Sequence, residues 1–409
     1  MKPSILAIAD SDSYLKLATT FLDRLGPSWQ RRIALVRTPV MPTEEQIAAA
    51  FDGTSLDPQQ LQFITLHQLN STVQEDIVFA AATGPVVAEA YSRILRSEPA
   101  SARRTALISA LPGVAFPATA KGWNYRRAGD AFICHSHAEA RDFSFMTEER
   151  PGHQPTIMVS KLPFLNSGGF PPQQSETIKR VVFAPQAKVP FLRHEREAIL
   201  LTLEQTARLN PGVEVVVKLR ARAGEPQTHL EQFPYDELAE KLMQDGKLGP
   251  QSHLRFETGS MSDVLSEGSA LVTVSSTAAL ESIDRGLPTM ILTDFGVSPE
   301  MINTVFQSSG MLGELSSLSA LQFGAPSKAW LRENYFHRMD NSFTDALASM
   351  ASQAREGRLQ TDQDVLDFIK NQPMRQKLRT ALPTPIVKVL QKMRRTFQKT
   401  RGHNANSWS

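Results

Sequence analysis

Apolar and polar positions follow two patterns along this chain. Short, nearly unbroken apolar runs recur, and between them lie longer segments whose apolar residues repeat at helical spacing. Near-continuous apolar runs are typical of parallel strands that are buried on both faces, and the intervening helices would cover those faces. The alternation therefore predicts an α/β fold.

The first half of the chain shows this alternation from its start. Strands are predicted at residues 4–9, 32–37, 62–66, 76–82, 105–111 and 131–135. Helices are predicted at residues 14–25, 44–51 and 86–95. Repeated strand and helix units of this kind predict a Rossmann-like first domain, which we place at residues 1–170.

A linker-like segment, LNSGGFPPQQSE at residues 165–176, separates this half from the next. The alternation then resumes, with strands predicted at 180–184, 213–219, 254–257, 270–274 and 289–293 and helices at 195–209, 235–244 and 278–285. We expect a second Rossmann-like domain at residues 178–335, followed by helices and a basic tail at residues 336–409. Two such domains leave a cleft between the carboxyl ends of their strands, which is the layout of GT-B glycosyltransferases.

Composition excludes only a few classes of protein. The 409 residues carry a formal net charge of +2, with 21% charged and 41% hydrophobic residues, so the chain as a whole has no nucleic-acid signature. The single cysteine, Cys134, excludes an internal disulfide, and no Cys/His cluster has zinc-ligand spacing. Nothing resembles a signal peptide or a membrane span, so we expect a cytoplasmic protein without a metal or a cofactor.

The segment EGSALVTVSSTAALESIDRGLPTMILTDFG, at residues 267–296, carries the clearest chemical signal. A buried strand leads into Ser275, Ser276 and Thr277, where the next helix must begin. Free N–H groups, the helix dipole and hydroxyl donors together favour an anion, so the segment predicts a phosphate site. The alternative is that one of these hydroxyls only caps the helix.

Cations and carboxylates elsewhere in the second half could complete a donor site. Lys218, Arg220 and Arg222 alternate along one strand and would share a face at its carboxyl end, forming a phosphate clamp; the alternative is a solvated edge strand. Glu257 at a strand end, and more weakly Glu281 in the phosphate-site helix, could accept a hydrogen bond from a sugar hydroxyl.

A base for the acceptor hydroxyl is expected from the first domain. Asp10 and Asp12 follow the first strand, and two like charges so close would raise the pKa of one of them towards a useful value. The alternative is an Asx-turn that caps the following helix. His135, His137 and Glu139 form a second candidate cluster, in which either histidine could be the acid or base; the alternative is a structural histidine that lines the cleft. The His-x-His pair could also bind a metal, but a third ligand at sensible spacing is missing.

Several motifs resemble those of the CDP-glycerol glycerophosphotransferase and capsular polysaccharide transferase group. They are VVFAPQAKVP at 181–190, VVVKLRA at 215–221, MSDVLSEGSALVTVSSTAALESIDRGLP at 261–288 and LPGVAFPATAKGWNYRRAGDAFICHSHAEARDF at 111–143. The resemblance implies a GT-B fold and a nucleotide-activated donor. On this basis we assign Gly113 and Lys121 to the acceptor side, where Lys121, Arg126 and Arg127 face an anionic acceptor or solvent.

Two departures from that group change the expected chemistry. Pro112 stands where the group has a histidine, and Arg220-Ala221 replaces its His-Pro pair. A sugar transferase that uses a nucleotide sugar and acts on a cell-surface or lipid-linked glycan is therefore expected, rather than a glycerol-phosphate polymerase. A nucleotide-sugar 2-epimerase and a non-catalytic nucleotide- or glycan-binding protein are the alternatives.

The chain after Asp367 has no acidic residue. It carries ten cations, which are Lys370, Arg375, Lys377, Arg379, Lys388, Lys392, Arg394, Arg395, Lys399 and Arg401. Five apolar residues recur there at helical spacing, namely Ile386, Val389, Leu390, Met393 and Phe397. A basic amphipathic helix suits the anionic inner face of a membrane, and a helix packed back on the first domain is the alternative.

Overall fold

The fold is built on two sheets in which every pair of neighbouring strands is parallel. The computed structural model describes residues 2–38, 41–69, 73–97, 104–148, 152–162, 164–165, 171–172, 177–219, 231–249, 251–259, 261–338 and 342–370. Both sheets are covered by helices, which confirms the predicted α/β class with two Rossmann-like domains.

The first sheet has seven strands in the order β3-β2-β1-β4-β5-β6-β7. Its strands are β1 (Ser4–Ala9), β2 (Gln30–Val36), β3 (Gln62–Ile64), β4 (Ile77–Ala80), β5 (Ala106–Ala110), β6 (Ala131–Cys134) and β7 (Thr156–Val159). Its helices are α1 (Asp12–Leu25), α2 (Glu44–Phe51), α3 (Gly84–Ser97), α4 (Ala120–Asn124) and α5 (His137–Glu148). Local sequence fixes the helix ends: Thr43 caps α2 in a capping box with Gln46, and Gly26 ends α1 at a φ of 68°.

The second sheet has six strands in the order β10-β9-β8-β11-β12-β13. Its strands are β8 (Arg180–Phe183), β9 (Glu214–Lys218), β10 (Leu254–Glu257), β11 (Ser269–Thr273), β12 (Thr289–Leu292) and β13 (Leu312–Gly313). Its helices are α6 (Arg193–Leu209), α7 (Tyr235–Gln244), α8 (Met261–Val264), α9 (Ala278–Asp284), α10 (Leu315–Ser319) and α11 (Lys328–Glu333). Both sheets thus place their first strand between the second and the fourth, which is the Rossmann order.

The chain returns to the first domain after the second is complete. Helix α12 (Ser342–Arg355) buries Phe343, Leu347, Ala351 and Ala354 in the core beneath the first sheet. Helix α13 (Gln363–Lys370) follows it. The return ties the two domains together, because α12 buries its apolar face in the core of the first domain.

The predicted strands and helices lie close to the observed ones. The sequence pattern missed β7, which is only partly buried, and α5, which has a weakly apolar face. It also missed the two-residue strand β13 and the short helices α4, α8, α10 and α11. The predicted tail helix at residues 386–401 and most of the linker at 165–176 lie outside the described residues. Among the helices that the structure describes, none is both long and apolar enough to cross a bilayer.

Candidate functional site

In each sheet the strand order reverses at one point, because the chain adds strands first on one side of its first strand and then on the other. In the first sheet this switch point lies between β1 and β4, and in the second between β8 and β11. Loops that leave neighbouring strands at such a point diverge to opposite faces of the sheet and leave a crevice that binds ligands. The residues that follow these four strands therefore define the candidate site.

Asp10 follows β1 and spans the first switch point. Its two carboxylate oxygens accept the backbone N–H of Thr83, which follows β4, at 3.0 and 3.1 Å, and the Thr83 hydroxyl also donates to Asp10. The residue is buried, and burial raises the pKa of its carboxyl group; the Thr83 hydrogen bonds and the charge of Arg126 oppose that shift. The sequence analysis attributed a raised pKa to the charge of the neighbouring Asp12. In the structure, burial is the main cause of the raised pKa of Asp10.

Asp12 is the first residue of α1 rather than its cap. The N-cap position is Ser11, and its side chain makes no capping hydrogen bond. The Asx-turn that the sequence left open as an alternative is therefore not the way this helix begins. Asp12 remains partly exposed beside Asp10.

Arg126 is buried, contrary to the expectation that it faces an acceptor or solvent. Its guanidinium group donates to the Tyr14 hydroxyl at 3.1 Å, to the Ala82 carbonyl at 3.0 Å and to the Gly122 carbonyl at 3.1 Å. Because Ala82 precedes Thr83, the arginine supports the turn that holds Asp10. Lys121, in contrast, is exposed on α4.

His135 and Glu139 form a buried junction after β6. The ring nitrogens of His135 lie 3.1 Å from the Ser160 carbonyl and 2.8 Å from the Leu111 carbonyl, so neither points into the cleft. Glu139 accepts the N–H groups of Ala115 and His135 at 2.7 and 2.8 Å. These contacts favour a positioning role for both residues, and proton transfer by either stays a prediction.

Glu139 also joins the two domains. Tyr335, which packs in the core of the second domain, donates its hydroxyl to Glu139 at 2.6 Å. Burial and the Glu139 charge raise the pKa of Tyr335 well above its usual value, so the hydroxyl keeps its proton and remains a donor. Close by, the exposed His137 ring stacks edge-on against the buried ring of His337, with centroids 4.9 Å apart.

The three hydroxyl residues after β11 have different surroundings. Ser275 is buried and donates to the Ile302 carbonyl at 2.5 Å, so its hydroxyl is engaged within the second domain. Ser276 accepts the N–H of Ala278 at 3.2 Å, and Thr277, the N-cap residue of α9, makes no capping bond with its side chain. Ser276 and Thr277 are partly exposed and are the two that a ligand could reach.

Lys218 and Glu257 end neighbouring strands in register with each other. Lys218 is buried, and its ammonium group donates to the Leu219 carbonyl at 2.9 Å. Its strand, β9, lies between β10 and β8, so the edge-strand alternative is wrong. Arg220 and Arg222 lie outside the described residues.

The first domain meets the second switch point across the interdomain crevice. A Cβ built on Gly113, in the loop after β5, would lie 2.7 Å from the Thr277 side-chain methyl. Glu281 of α9 pairs with Lys16 of α1 at 3.7 Å. The turn at residues 275–277 of the second domain, where the sequence predicts a phosphate site, therefore lies directly against the first domain.

No group of three or more His, Cys, Asp and Glu side chains that could hold a metal ion is found in the described part of the chain. Among the described residues, the polar groups at the crevice include the carboxylates of Asp10 and Asp12, the hydroxyls of Ser276 and Thr277, and Lys218 and Glu257 at the strand ends.

Two Rossmann-like domains whose switch points face one crevice, with a C-terminal helix that returns to the first domain, define a GT-B-type protein. The sequence from residue 5 to residue 350 matches the family described as "Putative glycosyltransferase (DUF6716)". The chain belongs to this family. No curated protein matches its sequence.

Solved structures of the same fold are similar at low sequence identity. UDP-GlcNAc 2-epimerase from Methanocaldococcus jannaschii, in complex with UDP-GlcNAc and UDP, aligns with a TM-score of 0.51 and 10% identity over 85% of this chain and 99% of the epimerase. The Listeria monocytogenes protein described as "putative UDP-N-acetylglucosamine 2-epimerase" gives a TM-score of 0.51 and 10% identity, over 88% of this chain and 98% of that chain. At this identity the likeness shows the fold alone.

Sequence reasoning missed Thr83 and Tyr335 as contributors to the site and gave Arg126 a different role. Thr83 holds Asp10, Arg126 holds the Thr83 turn, and Tyr335 connects Glu139 to the second domain. The Thr83-Gly84 pair at the end of a predicted strand was a usable signal for the first. Nothing in the local sequence pairs Tyr335 with a glutamate so far away in the chain.

Proposed function

We propose that this protein transfers a sugar from a nucleotide-activated donor to a cell-surface or capsular glycan. The observation that carries the proposal is the close approach of Gly113, in the loop after β5, to Thr277, which brings the carboxyl edge of the first sheet against the second switch point. In this proposal, the buried Asp10 carboxylate acts on the acceptor and the hydroxyls of Ser276 and Thr277 act on the donor. The M. jannaschii epimerase of this fold holds UDP-GlcNAc and UDP, which supports a nucleotide sugar as the donor.

In an inverting transfer, Asp10 would take the proton of the acceptor hydroxyl as that oxygen attacks the anomeric carbon. A carboxylate whose pKa is raised by burial holds a proton more tightly than an exposed one and is a better base near neutral pH. Thr83 fixes the carboxylate in place, so little reorganisation is needed.

The bond from the anomeric carbon to the donor phosphate breaks in the same step, and negative charge develops on the leaving nucleotide. Ser276 and Thr277 can donate hydrogen bonds to that phosphate, and Lys218 places a positive charge at the same edge of the sheet. Glu257 is available to a hydroxyl of the sugar or of the ribose. We propose that Gly113 and Lys121 lie on the acceptor side.

Turnover assays with UDP-, GDP- and CDP-sugars test the proposal directly. Nucleotide release that depends on a glycan acceptor supports transfer. An altered sugar formed without any acceptor would instead support the epimerase alternative, and nucleotide binding without turnover would support a non-catalytic binding protein.

The base is tested by comparing Asp10→Asn with Asp12→Asn. We expect Asp10→Asn to lower kcat by roughly 100-fold or more while nucleotide affinity stays near that of the wild type, because the base acts only in the transition state. Asp12→Asn serves as the matched neighbour and should slow transfer less. If neither variant slows transfer, the base lies elsewhere, and Glu139 and His135 become the next residues to test.

A further inference from the structure

The loop that follows β8 lies beside the phosphate-site turn. The two loops begin next to each other, because the Thr273 hydroxyl at the end of β11 donates to the carbonyl of Ala184 at 2.7 Å. The β8 loop therefore forms the other wall of the crevice at the second switch point. We refer to residues 184–190 as the β8 loop.

A buried arginine holds the backbone of this loop. Arg196, in the first turn of α6, is only 1% exposed, and it donates to three carbonyls of the loop. These are the carbonyls of Gln186 at 3.2 Å, Ala187 at 2.9 Å and Pro190 at 2.9 Å. Glu231 pairs with the same guanidinium group at 2.5 Å. With its donors directed at carbonyls and its charge matched by Glu231, Arg196 supports the loop and does not reach a ligand.

A glutamine side chain holds the loop from the opposite direction. The Gln186 side-chain oxygen accepts the backbone N–H groups of Lys188 and Val189. The local backbone is fixed on both sides, because its carbonyls bind Arg196 and its N–H groups bind Gln186. These contacts also restrict the direction in which the Lys188 side chain points.

Lys188 is the exposed residue of this fixed loop. Within the described part of the chain its ammonium group has no ion-pair partner. Lys218, the cation that the sequence favoured, is buried against the Leu219 carbonyl and is less accessible. A lysine presented on a rigid loop at a switch point suits a phosphate group.

We propose that Lys188 binds the diphosphate of the nucleotide donor and that Arg196 is a positioning residue that presents it. This inference rests on the proposed function, because it places the donor in the same crevice. Lys188 would contact the phosphate oxygens from the β8 wall, opposite Ser276 and Thr277.

Calorimetry with UDP, GDP, CDP and the corresponding nucleosides tests Lys188. We expect Lys188→Ala to weaken binding of the preferred diphosphate by about tenfold or more, through the loss of a charge-assisted contact, and to leave binding of its nucleoside unchanged. Lys188→Arg should retain most of the affinity. Lys179→Ala is the matched control, since Lys179 is an exposed lysine at the opposite, amino end of the same strand.

Arg196→Lys tests the positioning role. The variant keeps the charge but cannot make the forked contacts to three carbonyls, so it should also weaken diphosphate binding selectively. If Arg196 acts through Lys188, the double variant should bind the diphosphate no more weakly than Lys188→Ala alone. Additive losses would show that Arg196 supports the fold generally, and would overturn the positioning role.

The outcomes separate this inference from the function on which it rests. Wild-type protein that binds none of the three diphosphates would overturn both. Wild-type protein that binds one of them, with equal affinity in Lys188→Ala, would overturn the assignment of Lys188 and leave the transferase proposal standing.

Discussion

At the scale of single residues, this protein buries several charged groups where its domains meet the crevice. Asp10, Glu139 and Arg126 are each almost inaccessible to solvent, and each has defined hydrogen-bonding partners. Burial of charge costs free energy unless partners compensate. Glu139 has three donors from three different segments, whereas both oxygens of Asp10 depend on Thr83 alone. Of these two carboxylates, Asp10 is therefore the one whose burial is less compensated.

This difference predicts how stability responds to Asp10→Asn. The pKa of Asp10 is raised by folding, so the carboxyl contributes stability below its unfolded value, near 3.8, and loses that contribution as pH rises through the folded value. At pH 8 the wild type carries a buried carboxylate that the variant lacks. We expect urea denaturation at pH 8 to give Asp10→Asn the higher free energy of unfolding, with a gap that narrows towards pH 4.

The exposed Asp52, in the same domain, provides the control. Asp52→Asn should change the free energy of unfolding by less than about 0.5 kcal/mol. A loss of stability in Asp10→Asn at pH 8 would mean that the Thr83 bonds outweigh the cost of burial. The Asp10 carboxylate would then be a structural group, and its assignment as the base would lose its support.

At the scale of elements, the loop after β5 and the start of α9 form a close contact between the domains. Gly113→Ala would bring a Cβ within 2.7 Å of the Thr277 methyl, so one of the two loops must shift. We expect kcat/KM to fall by about tenfold, corresponding to about 1.4 kcal/mol of overpacking. Gly212→Ala is the control, because no atom lies within 4 Å of its Cβ position.

A second substitution makes this test specific to the contact. Thr277→Ser removes the methyl group but keeps the hydroxyl that we assign to the donor phosphate. In that background, Gly113→Ala should lower kcat/KM only slightly, and the double variant should have the kcat/KM of Thr277→Ser alone. An equal loss of kcat/KM in both backgrounds would show that the effect of Gly113→Ala does not come from the Thr277 contact.

The elements were predictable from the sequence to a much greater extent than the site. Strands such as β1 and β11 are near-continuous apolar runs, and in an α/β fold runs of that kind form strands that are buried on both faces. The positions of Asp10 and Ser276 at strand ends followed from those strands. Which polar atoms are already engaged did not follow, because the partners of Ser275 and Lys218 are backbone carbonyls, whose positions only the tertiary fold determines.

At the scale of the whole molecule, charge is distributed unevenly along the chain. The cations after Asp367 alone exceed the formal net charge of +2, so the remainder of the chain is net acidic. The two domains would be repelled by an anionic membrane, and the basic segment would be attracted to it. We propose on this basis that the basic segment brings the protein to the membrane surface, where a lipid-linked glycan acceptor would lie.

Binding to phosphatidylserine vesicles tests this arrangement. Each Lys or Arg near an anionic surface contributes about 1 kcal/mol, and that attraction is screened by salt. We expect binding to fall steeply as salt rises from about 0.01 M to about 0.15 M, since the Debye length shrinks from about 30 Å to about 8 Å. Phosphatidylcholine vesicles should bind little protein at either salt concentration.

Deletion of residues 386–401 separates a membrane helix from a core helix. If the segment lies on the membrane, the truncated protein should lose vesicle binding yet keep its fold and its activity on soluble acceptors. If Val389, Leu390, Met393 and Phe397 instead pack on the first domain, truncation exposes the apolar surface that they cover, and the protein should unfold or aggregate at lower temperature. A charge variant makes the same distinction without a deletion. Lys392→Gln combined with Arg395→Gln removes two positive charges but keeps those apolar residues. Loss of vesicle binding in this variant, with an unchanged melting temperature, would therefore identify the membrane contact, whereas undiminished binding would contradict it.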